Sequence, residues 1–422
     1  MTSLIGALEA RGLVAQVSDR DGLDRHLADG RRTLYCGFDP SAPSLQVGNL
    51  VPLMVLRRYQ LAGHRPIALV GGATGLIGDP SGRDEERSLN DDDTVAGWTE
   101  NIRRQVSRFI DLDGDAGLVV NNLDWMREQD AIGFLRDVGK HFSVNAMLAR
   151  DAVRARIDRE GAGISFTEFS YMLLQAFDFA ELARRHDCTL QVAGNDQWGN
   201  IASGIDLGRR LHGRRLFGMT SPLVTRADGV KFGKSAGGAV WLDAEHTSPY
   251  AFHQFWLNCA DADVVPFLGY FTVLPTSEID EVAAEVRAHP ERRQGQRALA
   301  AEVTRLVHGE AALQSADRIA KALFGGDVRT LTEDDLGQLE LDGMERTSVP
   351  DGTGLLDALT SAGLTRSNGE ARRMIAAGAV HLNGSPVADA ALRLTAKGAL
   401  HGRHHLLRRG KKRWHLMVLQ QG

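Results

Sequence analysis

Cysteine is scarce here: Cys36, Cys188 and Cys259 are the only three, far apart and odd in number. That argues against a disulfide framework or a zinc site and for a reducing compartment, so the cytoplasm is the expected location. No apolar run reaches the ~20 residues that span a bilayer, and no membrane partner is expected. Met1 to Arg11 carries Glu9 and shows no basic stretch leading into a long apolar region, so no secretory signal is apparent. The dinucleotide-binding fingerprint is missing too. Glycines cluster at 71–78, but at the wrong spacing, and no matching acidic residue follows on a third strand. What remains is an ordinary globular composition, 43% hydrophobic and 24% charged over 422 residues, enough for about two or three domains.

Charge is unevenly placed. From Thr353 onward there are eleven Lys/Arg against three Asp/Glu, a net of +8, which leaves −13 on the first 352 residues of a chain that totals −5. A basic C-terminal segment on an acidic body suggests a nucleic-acid-binding appendage, and its apolar pattern is too strong for a disordered tail.

The chain reads as alternating strands and helices. Residues 1 to 32 look helical and amphipathic, with Leu4, Ile5 and Leu8 preceding a polar connection. Thr33 to Phe38 is a β-branched and aromatic run broken by Asp39-Pro40, and a helix is expected from about Asn49 to Leu61, closed by Gly63. Ile67 to Val70 reads as a second strand, and strand, helix, strand implies a right-handed crossover in a parallel sheet. It ends in Gly71-Gly72-Ala73-Thr74-Gly75-Leu76-Ile77-Gly78-Asp79-Pro80. Asn101 to Ile110 should be a packing helix, Leu118 to Val120 a third strand ending at Asn121-Asn122, and 140–165 a polar connection. Phe169 to Phe179 is helical, with Tyr171, Gln175 and Asp178 on one face. Strand Thr189–Val192 then leads into Gly194-Asn195-Asp196-Gln197-Trp198-Gly199-Asn200. Three strand ends rich in Gly and Asp mark a ligand crevice, since open α/β sheets bind at the carboxyl ends of their strands.

Ala227-Asp228-Gly229 signals a hairpin, followed by Lys231-Phe232-Gly233-Lys234-Ser235, a glycine-bearing loop suited to clamping a polyphosphate. Residues 248 to 325 are predominantly helical. An acidic, turn-rich stretch up to Gly352 reads as a linker. Ser367 to Glu370 has capping-box spacing, Asn383-Gly384 is a turn, and Arg408-Arg409, Lys411-Lys412-Arg413 and Trp414 close a compact RNA-binding candidate.

In their order and spacing, these motifs resemble the bacterial tyrosyl-tRNA synthetases, class I aminoacyl-tRNA synthetases, over nearly the whole chain. The C-terminal part resembles the ribosomal-protein S-four-type RNA-binding domain. The resemblance implies a doubly wound parallel α/β catalytic domain of Rossmann-like type over 1–222. It further implies a lysine-signature loop and helical tRNA-contacting domain over 223–325, a linker over 326–352 and a small α+β RNA-binding domain over 353–422. It implies tyrosine activation by ATP with Mg2+, transfer to tRNA(Tyr), a homodimer, and no bound metal or organic cofactor. By the same resemblance Tyr35 and Asp178 bond the substrate phenol, Asp79, Tyr171 and Gln175 take the α-ammonium, and Thr74 and Gln191 complete the tyrosine pocket. Cys36, Gly37, Asp39, Gly48, Gly194, Asp196 and Gln197 hold the nucleotide, with Lys234 contributing. Gln46, Asn49, Lys231, Lys234, Arg83 and Arg87 act on the phosphates.

One motif departs from the family pattern. Where the family carries His-x-Gly-His, this chain has Gln46-Val47-Gly48-Asn49. Ser235 and Ser41 stand where Thr is commoner and keep the hydroxyl. The departure leaves two other readings: a divergent, inhibitor-tolerant paralogue with an altered adenylate site, or an RNA-binding protein without catalysis. A small-molecule adenylating enzyme of the same fold is disfavoured by the C-terminal unit.

Overall fold

The computed structural model describes residues 3–79, 91–150, 153–154, 157–158, 163–225, 227, 232–235, 238–410 and 413–420. Contacts divide the chain into two units, Met1–Leu242 with Cys259–Leu299, and Asp243–Asn258 with Ala300–Gly422.

The first unit is built on a sheet of β1 (Gln16–Val17), β2 (Thr33–Phe38), β3 (Arg65–Val70), β4 (Leu118–Asn121), β5 (Cys188–Gly194) and β6 (Phe217–Ser221). Its order is β1-β6-β5-β2-β3-β4. All neighbours run parallel except β1, which pairs antiparallel to β6. This is the doubly wound α/β arrangement expected from the sequence. Strands β2, β3 and β4 build outward one way and β5 and β6 the other, so the connection reverses between β2 and β5.

Helices cover both faces, which is why the strands are apolar without alternation: β3 is buried from Pro66 to Val70. The segment 1–32 is not wholly helical. It holds α1 (Leu4–Ala10) and α2 (Arg20–Ala28) on either side of β1, a two-residue strand too short to leave a period-two pattern. Next come α3 (Leu50–Leu61) and α4 (Thr74–Ile77). The helix expected at 101–110 is α5 (Asp92–Val106), capped by Asp91; Phe109 and Ile110 are core residues beyond its end. The expected polar connection at 140–165 carries a short helix, Val144–Leu148. It follows α6 (Leu123–Met126) and α7 (Ala131–Asp137) and is labelled α8.

The long helix α9 (Phe166–His186) is capped by Ser165 and stopped by Asp187 in the left-handed conformation at φ 51°. It packs on α10 (Trp198–His212) through Gly204, where a Cβ would come within 2.9 Å of the Phe179 ring. Tyr35, Ile67, Trp125, Phe179, Leu182 and Leu207 share the core between them. Arg58, buried on α3, donates to the carbonyls of Gly269 and Thr272 at the end of helix Asp261–Phe271. The hairpin expected around 227–229 lies mostly outside the described residues.

The second unit has a five-stranded sheet in the order Ser385–Pro386, Val380–Leu382, His404–Arg409, Arg413–Leu419, Arg346–Val349. The last strand joins in parallel, Val418 opposite Ser348. One face packs on helices Leu355–Ser361 and Asn368–Ala376, the other on Glu310–Leu323 and Glu333–Leu341. The expected linker over 326–352 is therefore folded, with Val328, Leu331, Leu336 and Leu339 buried. Its acidic look has a local cause. Glu333, Asp334 and Asp335 occupy a helix first turn, where the helix dipole favours carboxylates, and buried Asp335 also takes a bidentate bond from Arg318.

Candidate active site

The carboxyl ends of β2, β3, β4 and β5 converge where the strand order reverses. Gly71 leaves β3 by donating to the Phe38 carbonyl at 3.0 Å. Any larger residue there displaces the site's own side chains: a Cβ on Gly71 would lie 2.0 Å from Asp39 Oδ1 and 2.2 Å from Thr74 Oγ1. Gly72 N–H donates to Asn121 Oδ1 at 3.1 Å and Ala73 N–H to Asn122 Oδ1 at 2.7 Å, which ties the glycine loop to the end of β4.

Asn122 is wholly buried and uses its amide fully. While its oxygen holds Ala73, its nitrogen donates to Thr74 Oγ1 at 3.0 Å and to Asp178 Oδ2 at 2.9 Å. Trp125 Nε1 donates to the other Asp178 oxygen at 2.8 Å. Burial pushes the Asp178 carboxyl up to about 7, against the pull of those two donors. Beyond Thr74 the chain of bonds continues. Thr74 Oγ1 donates to Asp39 Oδ1 at 2.7 Å, and Tyr171 Oη donates to Asp39 Oδ2 at 2.8 Å. Burial raises the Tyr171 phenol well above its ordinary value, with the Asp39 and Asp79 charges adding to it.

Three polar atoms in this region are buried and unpartnered among the described residues: Tyr35 Oη, Gln175 Oε1 and Gln191 Oε1. Tyr35 stands against Phe179 with ring centroids 5.2 Å apart. Its phenol is raised far above 10 by burial first and then by the Asp178 charge. Unpaired buried polar groups are costly, so each of these three atoms calls for a partner that the described residues do not supply.

On the neighbouring side, Gln197 Nε2 donates to Asp79 Oδ2 at 2.7 Å, and Asn200 Nδ2 to Gln197 Oε1 at 2.9 Å. Asp196 is exposed at the end of β5. Gly37 is exposed within a central strand, and neither it nor Gly48 has any atom near the position a Cβ would take. That is open space for a flat or charged ligand to lie on the backbone. Cys36 precedes Gly37 on β2. Its side chain is in the core and its thiol is pushed up to about 12 by burial, so it stands there as a neutral S–H, a weak donor and not a charge.

The Gln46 turn is strapped to the segment after the lysine loop. Val47 N–H donates to the Val240 carbonyl at 3.0 Å, Leu242 N–H to the Leu45 carbonyl at 2.8 Å, and Gln46 bridges Trp241. Gly233, at φ +101°, lies where a Cβ would meet Val47 Cγ2 at 3.3 Å. Gln46 N–H donates to Asn49 Oδ1 at 2.9 Å. Lys234 begins a short strand, Lys234–Ser235, paired with Gly238–Ala239. Lys231, Arg83 and Arg87 lie outside the described residues. No group of three or more His, Cys, Asp or Glu that could hold a metal is found among the described residues.

The structure thus joins residues that the motifs alone kept apart. Asp39, assigned to the nucleotide, is bonded to Thr74 and Tyr171, and Asp79 is bonded to Gln197. It also adds Asn122 and Trp125, which carried no assignment. The signal was available for the first: an Asn pair directly after a strand, on the edge where the other motifs lie.

The class I tRNA synthetase family for tryptophan and tyrosine matches residues 28–325, and the C-terminal domain of tyrosine–tRNA ligases matches 335–417. A tyrosine–tRNA ligase of Neisseria meningitidis is 53% identical, with 99% of both chains covered. One from Aliivibrio fischeri is 54% identical, with 98% of both covered. The chain belongs to the tyrosine–tRNA ligases of class I. Among solved structures, a C-terminally truncated mitochondrial tyrosyl-tRNA synthetase of Aspergillus nidulans is 31% identical. It covers 77% of this chain and 95% of its own, with a TM-score of 0.70. A tyrosyl-tRNA synthetase of Archaeoglobus fulgidus crystallised with L-tyrosine shares the fold at a TM-score of 0.55. Among the described residues, no helix of this family member is long and apolar enough to cross a membrane.

Proposed function

We propose that this chain activates L-tyrosine with ATP and transfers it to the 3′ end of tRNA(Tyr), with each step served by the groups described above. The carrying observation is the buried pair of Asp178, held by Asn122 and Trp125, and Tyr35, whose hydroxyl has no partner. Together they receive the substrate phenol, Asp178 accepting its O–H and Tyr35 donating to its oxygen. Phenylalanine in that place leaves both unpaired, and tyrosyl-tRNA synthetases are themselves the established example of such discrimination without editing. Asp79, Tyr171 and Gln175 take the α-ammonium, and Thr74 and Gln191 close the pocket; Asp39 orients Thr74 and Tyr171.

The tyrosine carboxylate attacks the ATP α-phosphorus. A carboxylate–phosphorus bond forms, the bond to the bridging oxygen breaks, and pyrophosphate leaves with the electron pair. The attacking carboxylate is already ionised, so no general base is needed and catalysis is positioning and charge stabilisation. Gly37, Gly48, Gly194, Asp196 and Gln197 seat the nucleotide. The amides of Gln46 and Asn49, with Lys231, Lys234, Arg83 and Arg87, meet the charge developing on the departing phosphates. Mg2+ enters with ATP as part of that substrate. A ribose hydroxyl of the tRNA terminus then attacks the tyrosyl carbonyl and AMP leaves. The basic C-terminal unit supplies tRNA affinity, the active form is a homodimer, and the enzyme works in the cytoplasm.

Tyrosine-dependent ATP–pyrophosphate exchange by the purified chain tests this reading. Exchange with tyrosine and not phenylalanine is expected; its absence leaves only the RNA-binding alternative. That alternative explains neither the Asp178 setting nor the orphaned Tyr35 hydroxyl, since a pure binder needs neither.

A further inference from the structure

In the five-stranded sheet, His381 is opposite Arg408, and Arg408 is opposite Trp414. Directly opposed residues share a face, so the three form one row across adjacent strands. The same face continues through Leu406 and Leu416, which are buried under helices Glu310–Leu323 and Glu333–Leu341. At the row itself that cover thins, and all three side chains are half-buried. Arg408 lies over the Trp414 ring, its guanidinium carbon 5.1 Å from the ring centroid.

What Arg408 lacks is as informative. Its neighbour Arg409, on the opposite face, bonds Glu370 and the Leu364 carbonyl. Arg408 has no side-chain hydrogen bond or ion pair to any described residue, and its Nε is buried without a partner. A guanidinium held by stacking alone keeps a flat, charged face and its outer N–H groups for a ligand. His381 alongside adds a flat ring, its pKa lowered from the ordinary value by burial first and then by the Arg408 charge.

We propose that His381, Arg408 and Trp414 form a stacking platform for an unpaired base of the tRNA, so that this unit reads an exposed nucleotide in addition to gripping phosphates. The proposal rests on the tRNA ligase reading. RNA recognition of this kind targets splayed bases, which stack on aromatic rings and Arg planes. The occupant follows from charge, because the surrounding segment is net +8 and carries Arg408-Arg409 and Lys411-Lys412-Arg413 in sequence.

Lysine keeps the charge of arginine and removes its plane, which separates stacking from simple ion pairing. The full-length chain and Arg408→Lys are compared for affinity to a tRNA(Tyr) transcript over a salt series. Stacking predicts roughly tenfold or greater weakening at every salt concentration, with the slope of log affinity against log salt unchanged. Binding by Arg408→Lys equal to the parent at all salts overturns the platform and leaves a phosphate contact. Trp414→Ala should weaken binding similarly and Trp414→Phe should restore most of it. Because Trp414 also packs on the core, the Arg408→Lys result decides if Trp414→Ala fails to fold. Exchange activity of the parent chain, measured alongside, tests the ligase reading separately.

Discussion

The side-chain oxygen of Asn49 accepts the backbone N–H of Gln46 at 2.9 Å. A backbone N–H only donates, so the atom facing it is the amide oxygen, and the Asn49 –NH2 is turned away from the turn. An imidazole here could accept that N–H only while one ring nitrogen is unprotonated; the amide oxygen accepts it at every pH. At saturating tyrosine, kcat for exchange should therefore show no acidic limb arising from Gln46 or Asn49. Asn49→His should introduce one near pH 6.5, because protonation removes the ring nitrogen that would accept the Gln46 N–H. Asn49→Ala should cost about 10²–10³ in kcat. An Asn49→His profile superimposable on the parent's between pH 5.5 and 8.5 would remove Asn49 from the phosphate site.

Asp178 predicts a different pH dependence, in KM for tyrosine. Its carboxyl is pushed up to about 7 by burial, and a substrate phenol donates far more strongly to the ionised form. Tyrosine KM should thus fall about tenfold from pH 6 to pH 8, following the ionised fraction. Folding runs the opposite way. The folded-state value is above the ordinary 3.8, so the folded chain holds this proton more tightly. The resulting stability is fully present below about pH 4 and is lost as pH rises through 7. Asp178→Ala should abolish tyrosine use, and unchanged kcat and KM would refute its assignment.

Asn122 makes three bonds inside a fully buried site, to Ala73, Thr74 and Asp178. Asn122→Ala strands an N–H and a carboxylate oxygen, which costs about 1–3 kcal/mol for each such group. With one donor gone, the Asp178 carboxyl should rise further, so the limb in tyrosine KM moves to higher pH. A melting curve reads the first effect and a KM profile the second. Loss of stability without movement of the limb would make Asn122 a purely structural residue.

Strand ends were legible in the sequence because their chemistry is local: glycines for close approach, Asp and Asn to close a loop. Thr33–Phe38, Gly71–Asp79 and Gly194–Asn200 all lie on the edge where they were expected. Long-range geometry was not legible. Nothing near Trp125 says that its indole will meet a carboxylate 53 residues later. The acidic stretch at 333–335 resembles a solvated linker until Arg318 is seen to pair with Asp335. A truncation at residue 353 is consequently a poor test of tRNA binding, because it strips strand Arg346–Val349 of its partner and uncovers Leu336 and Leu339.

The glycines of the site make opposite predictions according to what surrounds them. Gly71→Ala puts a methyl 2.0 Å from Asp39 Oδ1 and 2.2 Å from Thr74 Oγ1, so the tyrosine-side bonds must break. Its expected signature is a large rise in tyrosine KM with lowered stability. Gly37→Ala meets no protein atom, so stability should hold while ATP KM rises, because the methyl enters the nucleotide's space. Equal ATP KM for Gly37→Ala and the parent would place the nucleotide elsewhere.

Exposed large apolar side chains are concentrated in one stretch of the first unit: Ile132, Leu135, Val144 and Leu148, with Phe166 at the start of α9. Phe166 is 76% exposed and Ile132 73%, values that a lone monomer rarely tolerates in a group. If this stretch contributes to the dimer surface, Phe166→Asp should leave the fold intact, since the side chain is in solvent, and oppose association by burying a charge. Sedimentation velocity at micromolar concentration should show the parent as a dimer and the variant as a monomer with an unchanged melting temperature at low concentration. A variant that remains dimeric moves the interface elsewhere. A parent that is already monomeric removes the dimer altogether, and with it the reason for so much exposed apolar area between Ile132 and Phe166.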